Sequence, residues 1–111
     1  MAGSTQKKVV DEIKRIAAEA KVDADFEWSW GNIARVWFRE GFKTHANAVL
    51  DFQTHYMTAA LNLGSAKAEY FGKPDSIHRI DYGNASEFEE LFASIRSALP
   101  ISVPKRKGGA R

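Results

Sequence analysis

The chain has 111 residues, 44% hydrophobic and 27% charged, the make-up of a single globular domain that needs no metal or disulfide staple. It contains no cysteine, which excludes a disulfide scaffold, a thiol nucleophile and cysteine-ligated zinc. The formal net charge is +2, but Lys105, Arg106, Lys107 and Arg111 all follow Pro104, and taking those four cations away leaves the body at −2. A nucleic-acid-binding body that relies on bulk charge is therefore disfavoured.

The N-terminus, Met1 to Lys8, runs into a charged segment rather than an apolar leader, and no apolar run nears the ~18 residues that span a bilayer. The expectation is a cytoplasmic protein without membrane contact. Residues 1–103 read as one α+β domain, and 104–111 as a flexible basic tail.

Thr5 to Ala20 is expected to be an amphipathic helix. Val9, Ile13, Ile16, Ala17 and Ala20 recur at three- and four-residue steps and make one apolar stripe. Ser4 or Thr5 can cap its start, and Asp11 and Arg15 are spaced for an i,i+4 pair.

Ala24 to Arg39 reads as an aromatic hairpin. All three tryptophans, Trp28, Trp30 and Trp37, lie within it, flanked by Phe26, Phe38 and Phe42. A loop of Trp30, Gly31 and Asn32 sorts polar from apolar better than a tighter Gly31-Asn32 turn. It puts Phe26, Trp28, Ala34, Val36 and Phe38 on one face, with Trp28 expected to be buried. Glu27 then stands opposite Arg35 on the other face, beside Ile33, Trp37 and Arg39.

Thr44 to Leu63 fits two periods. Ala46, Ala48, Leu50 and Phe52 alternate as in a strand. Val49, Phe52, Tyr56, Ala59, Ala60 and Leu63 make a helical stripe over a longer window, with Thr44 and Gly64 as caps. The helical reading is preferred. Ala66 to Phe71 and Ser76 to Tyr82 are expected as short strands around the turn Gly72-Lys73-Pro74-Asp75. The last helix carries Phe88, Leu91, Phe92, Ile95 and Leu99 on one face. Asn84 or Ser86 caps it, Ser86 and Glu89 have capping-box spacing, and Pro100 stops it. The sum is a small antiparallel sheet packed by N-terminal, middle and C-terminal helices.

No pattern points firmly to chemistry. His45, His55 and His78 lack metal-binding spacing. Asp51 precedes His55 by four residues, as in a helical surface pair. Asp75, Arg79 and Asp81 resemble a nuclease site only loosely, and His55 and His78 complete the residues of that minor reading. Glu87, Glu89 and Glu90 suit the positive end of a helix dipole. No catalytic residue, metal, cofactor or small-molecule substrate is expected.

What remains is the aromatic hairpin. Trp37 between Arg35 and Arg39, with Ile33 and Trp30 nearby, has the residue types of a protein interface. The reading is a small non-enzymatic interaction module, an adaptor, inhibitor or complex subunit, binding a protein partner or a second copy of itself. The alternative is a nucleic-acid-binding accessory protein that stacks bases on the sheet face and contacts phosphates through Lys105, Arg106, Lys107 and Arg111.

Overall fold

The computed structural model describes residues 2–63 and 73–100. Helix α1 (Ala2–Glu19) is followed by strands β1 (Asp23–Ser29), β2 (Ile33–Glu40), β3 (Lys43–Phe52), β4 (Tyr56–Asn62) and β5 (Ser76–Asp81), then by helix α2 (Ala85–Ala98). The strands form one antiparallel sheet in the order β1-β2-β3-β4-β5. Each strand pairs with its sequence neighbour, so every strand-to-strand connection is local.

The first hairpin has the register that the sequence favours. Ser29 faces Ile33 across a loop of Trp30, Gly31 and Asn32, and Glu27 faces Arg35. Trp30 and Gly31 turn the chain with positive φ angles of 60° and 78°. The Asn32 carbonyl accepts the Phe52 amide at 2.8 Å, which ties the loop to the end of β3.

The middle helix is absent, and this corrects the sequence reading. Residues 44–63 form most of β3 and β4, joined by a turn at Gln53, Thr54 and His55. The alternation of Ala46, Ala48, Leu50 and Phe52 prevails because β3 lies inside the sheet with a partner on each side. Tertiary pairing there outweighs the helix propensity of the alanines. Asp51 and His55 consequently do not share a helical face. Asp51 accepts from the Gln53 side chain at 2.5 Å and from Asn32 at 3.3 Å. The β2–β3 hairpin, which a helix would have forbidden, turns through Gly41 and Phe42, with Gly41 at φ 63°. A register shift after Phe38 sets Arg39 opposite Thr44 and leaves His45 as the extra residue. The expected strand at 66–71 lies outside the described residues.

One face of the sheet carries the core. Ala34, Val36, Phe38, Ala46, Ala48, Leu50, Phe52, Met57, Ala59, Leu61 and Ile80 are buried against Val9, Ile13, Ile16, Ala17 and Ala20 of α1 and against Leu91 and Ile95 of α2. Both helices thus cover the same side, α1 lying by β1 and α2 by β5 and β3. Alanines at the sheet centre let the helices approach, and the larger Ile, Leu and Phe side chains fill the remaining space.

The helix ends have clear causes. At the end of α1 the Val22 amide donates to the Ala17 carbonyl and the Lys21 amide to Ala18, at 3.0 and 3.1 Å. Lys21 takes a left-handed φ of 59°, so this is a Schellman stop with lysine in the usual glycine position. Since α1 begins at Ala2, Ser4 and Thr5 lie inside it rather than at its cap. The expected Asp11–Arg15 pair is replaced by Lys7–Asp11 at 3.0 Å and by Arg15 with Glu12 and Glu19. That Arg15 hydrogen bond holds the Glu12 carboxyl below its ordinary pKa, against an opposing effect of burial and with added help from the charges of Arg15 and Arg96. Arg96 of α2 reaches Glu19 at 3.5 Å and Glu12 at 3.7 Å, bridging the two helices. At the start of α2, Asn84 accepts the Glu87 amide at 3.2 Å. Ser86 does not cap but donates to Asn84 at 2.8 Å.

Candidate functional site

Among the described residues no element packs on the sheet face opposite the helices. That face is built from alternate strand positions whose neighbours point into the core, so its make-up follows from the registers. Along β2 it presents Ile33, Arg35, Trp37 and Arg39, four of the five residues singled out from the sequence. The pairings continue the rows across the sheet. Glu27, Arg35, Val49, Ala60 and Ile77 form one row, and Asp25, Trp37, Asn47 and Asn62 the next.

The two rows differ in character. Ile77 is 69% exposed at the far end of the first. Asn47 and Asn62 in the second are buried and joined by an Asn62 Nδ2 to Asn47 Oδ1 hydrogen bond of 2.9 Å. Trp37, next to them, is half-buried rather than prominent. The Arg39 guanidinium lies 5.1 Å from its ring centroid, and towards the opposite edge of the same face Arg79 lies 3.8 Å over the Tyr56 ring.

Charges on this face are matched. Arg35 stands 3.7 Å from Glu27, Arg39 stands 3.6 Å from Asp25, and Arg79 stands 3.9 Å from Asp81. Such part-exposed pairs add little stability, about 0–1 kcal/mol each. A strand of acids beside the arginines does lower the positive potential of this face.

Trp30 stands apart from the row. It projects from the β1–β2 loop, 91% exposed, and has a backbone angle that bulky residues rarely adopt. Trp28 is a correction. It lies on the helix side as its register requires, stacked near Phe26 and Phe52 with centroids 6.5 and 6.1 Å away. It nevertheless stays 43% exposed, because β1 is an edge strand and α1 covers it only in part. Phe42, fully exposed in the β2–β3 turn, and Ile77 were missed. A phenylalanine directly after a glycine between alternating segments was the available signal for Phe42.

The residues of the nuclease reading do not converge. Asp75 accepts the Leu63 amide at 3.0 Å, Asp81 sits beside Arg79, and His55 lies in the β3–β4 turn. Among the described residues no three His, Asp or Glu side chains could hold a metal ion, and no helix is long and apolar enough to cross a membrane. Lys105, Arg106, Lys107 and Arg111 lie outside the described residues. No protein-family model, curated protein or solved structure matches the chain. Its class is thus defined by its own geometry: an α+β domain of a five-stranded antiparallel sheet with two helices on one face.

Proposed function

We propose that this chain is a non-enzymatic protein-interaction module that docks through its first hairpin. Trp30 at the tip would be the anchor, and Ile33, Arg35, Trp37 and Arg39 along β2 the adjoining surface. The partner is another protein or a second copy of the chain, with the module acting as adaptor, inhibitor or subunit.

The observation that carries this is the state of Trp30. A ring 91% exposed to water gains almost nothing from the fold, yet its backbone is held at φ 60°, at a cost of about 1–2 kcal/mol. Strain without a folding benefit points to a benefit on binding, and tryptophan is the residue most enriched among energetic anchors. The matched charges along β2 favour a protein partner over nucleic acid.

Affinity capture from native lysate, with and without nuclease, tests the reading. The retained species should be protein, should survive nuclease and raised salt, and should be lost with Trp37→Ala at near-normal stability. Sedimentation of the pure chain covers self-association. A retained species that disappears with nuclease, or a steep loss of binding with salt, would support the nucleic-acid alternative instead.

A further inference from the structure

A concave feature lies away from the hairpin, at the two helices. Between the N-terminal halves of α1 and α2 a cavity of about 280 Å³ opens, with Lys8, Val9, Tyr82, Phe88 and Phe92 in its lining. The Phe88 and Phe92 rings are stacked, with centroids 6.3 Å apart. Both pack on the core yet remain part-exposed. Tyr82 offers its ring, since its hydroxyl donates to the Gln53 carbonyl at 2.5 Å.

The charge in this cleft is one-sided. Among the described residues no carboxylate lines it, and Lys8 is its cation. Neighbouring cations are committed elsewhere: Lys7 to Asp11, Arg15 to Glu12 and Glu19, and Arg96 to the same two acids. Lys8 has no acidic partner among the described residues.

We infer that the cleft binds a small amphipathic carboxylate, an aryl or short alkyl acid. Its hydrocarbon would lie against Val9, Phe88 and Phe92, and its carboxylate beside the Lys8 ammonium. The apolar walls remove hydrocarbon from water, and the lone cation distinguishes an acid from a neutral molecule of the same shape. The volume limits the ligand. A cavity of about 150 Å³ holds benzene, so 280 Å³ accommodates one ring with a short chain.

The test is an amide-resolved NMR titration of the full chain with 3-phenylpropanoate and, separately, with 3-phenylpropanol. Both should shift the amides of Val9, Gly83, Phe88 and Phe92 saturably. The acid should bind about two- to fivefold more tightly, the size of a part-exposed ion pair. Lys8→Met should erase that difference and leave the alcohol's affinity unchanged. Trp30→Asn should leave both ligands bound as before, which separates this outcome from the fate of the hairpin reading. Equal binding of acid and alcohol to the unaltered chain would overturn the inference. So would an undiminished acid preference in Lys8→Met, or no saturation below about 10 mM, where affinity falls to a few kcal/mol.

Discussion

Trp30→Asn should make the protein more stable, although it removes the largest side-chain type from the chain. The indole is 91% exposed, so little buried area is lost. The backbone at φ 60° costs a bulky residue about 1–2 kcal/mol, and asparagine tolerates that region because its short side chain bonds locally. We expect a gain in unfolding free energy of about 0.5–1 kcal/mol, equivalent to roughly 2–8 °C in Tm. Trp30→Ala keeps the strain and should stay within about 0.5 kcal/mol of the unaltered chain. Trp30→Gly relieves the strain but adds about 0.4–1 kcal/mol of unfolded-chain entropy, so it should fall between the two. Urea unfolding followed by far-ultraviolet circular dichroism reads all three variants. A loss above about 1 kcal/mol in either Trp30→Asn or Trp30→Ala would mean that the ring is structural, and the argument for a docking anchor would fail.

Other consequences are open to the same measurement. Phe38→Ala, at a position 1% exposed, should cost about 3–5 kcal/mol. Trp28→Ala, 43% exposed, should cost about 2 kcal/mol, and the reverse order would mean that the edge of the sheet is better covered than it is here. Asn62→Leu takes the 2.9 Å donor away from the buried Asn47 carbonyl oxygen and should cost about 1–3 kcal/mol; a neutral result would remove the amide pair from the list of stabilising contacts. Burial, with a smaller effect of the Asp51 charge, raises the Tyr82 pKa above its ordinary 10.0. Above that pH the folded state keeps a proton that the unfolded phenol has released, so stability falls as pH rises. Tyr82→Phe should lose that part of the alkaline slope, and an unchanged slope would refute the assignment.

Some of this was legible in the sequence for simple reasons. The hairpin register follows from parity: once the loop is Trp30, Gly31 and Asn32, the rings of Phe26, Trp28, Trp37 and Phe38 are each assigned to a face. The last helix announced itself through Asn84 and a clean apolar stripe. Residues 44–63 misled because two different sets fit the two periods, Ala46, Ala48, Leu50 and Phe52 the shorter and Val49, Phe52, Tyr56, Ala59, Ala60 and Leu63 the longer, and alanine is a strong helix former. What separates the two is pairing with β2 and β5, which no local window contains. The exposure of Trp28 was hidden for a related reason. Its face could be read from the register, but how far α1 extends over the edge strand could not. The part-exposed Phe88 and Phe92 look like ordinary core positions until the cleft between the two helices is known.

In the proposed interface Trp30 and the β2 face, not Trp28, meet the partner. Fluorine NMR of the chain labelled with 5-fluorotryptophan observes the three rings separately. On addition of nuclease-treated native lysate, the Trp30 and Trp37 signals should shift or broaden while Trp28 holds its position, and in a self-associating chain the same two should respond to dilution. A response confined to Trp28, or a partner retained by the chain with the Trp30 signal unmoved, would rule that interface out.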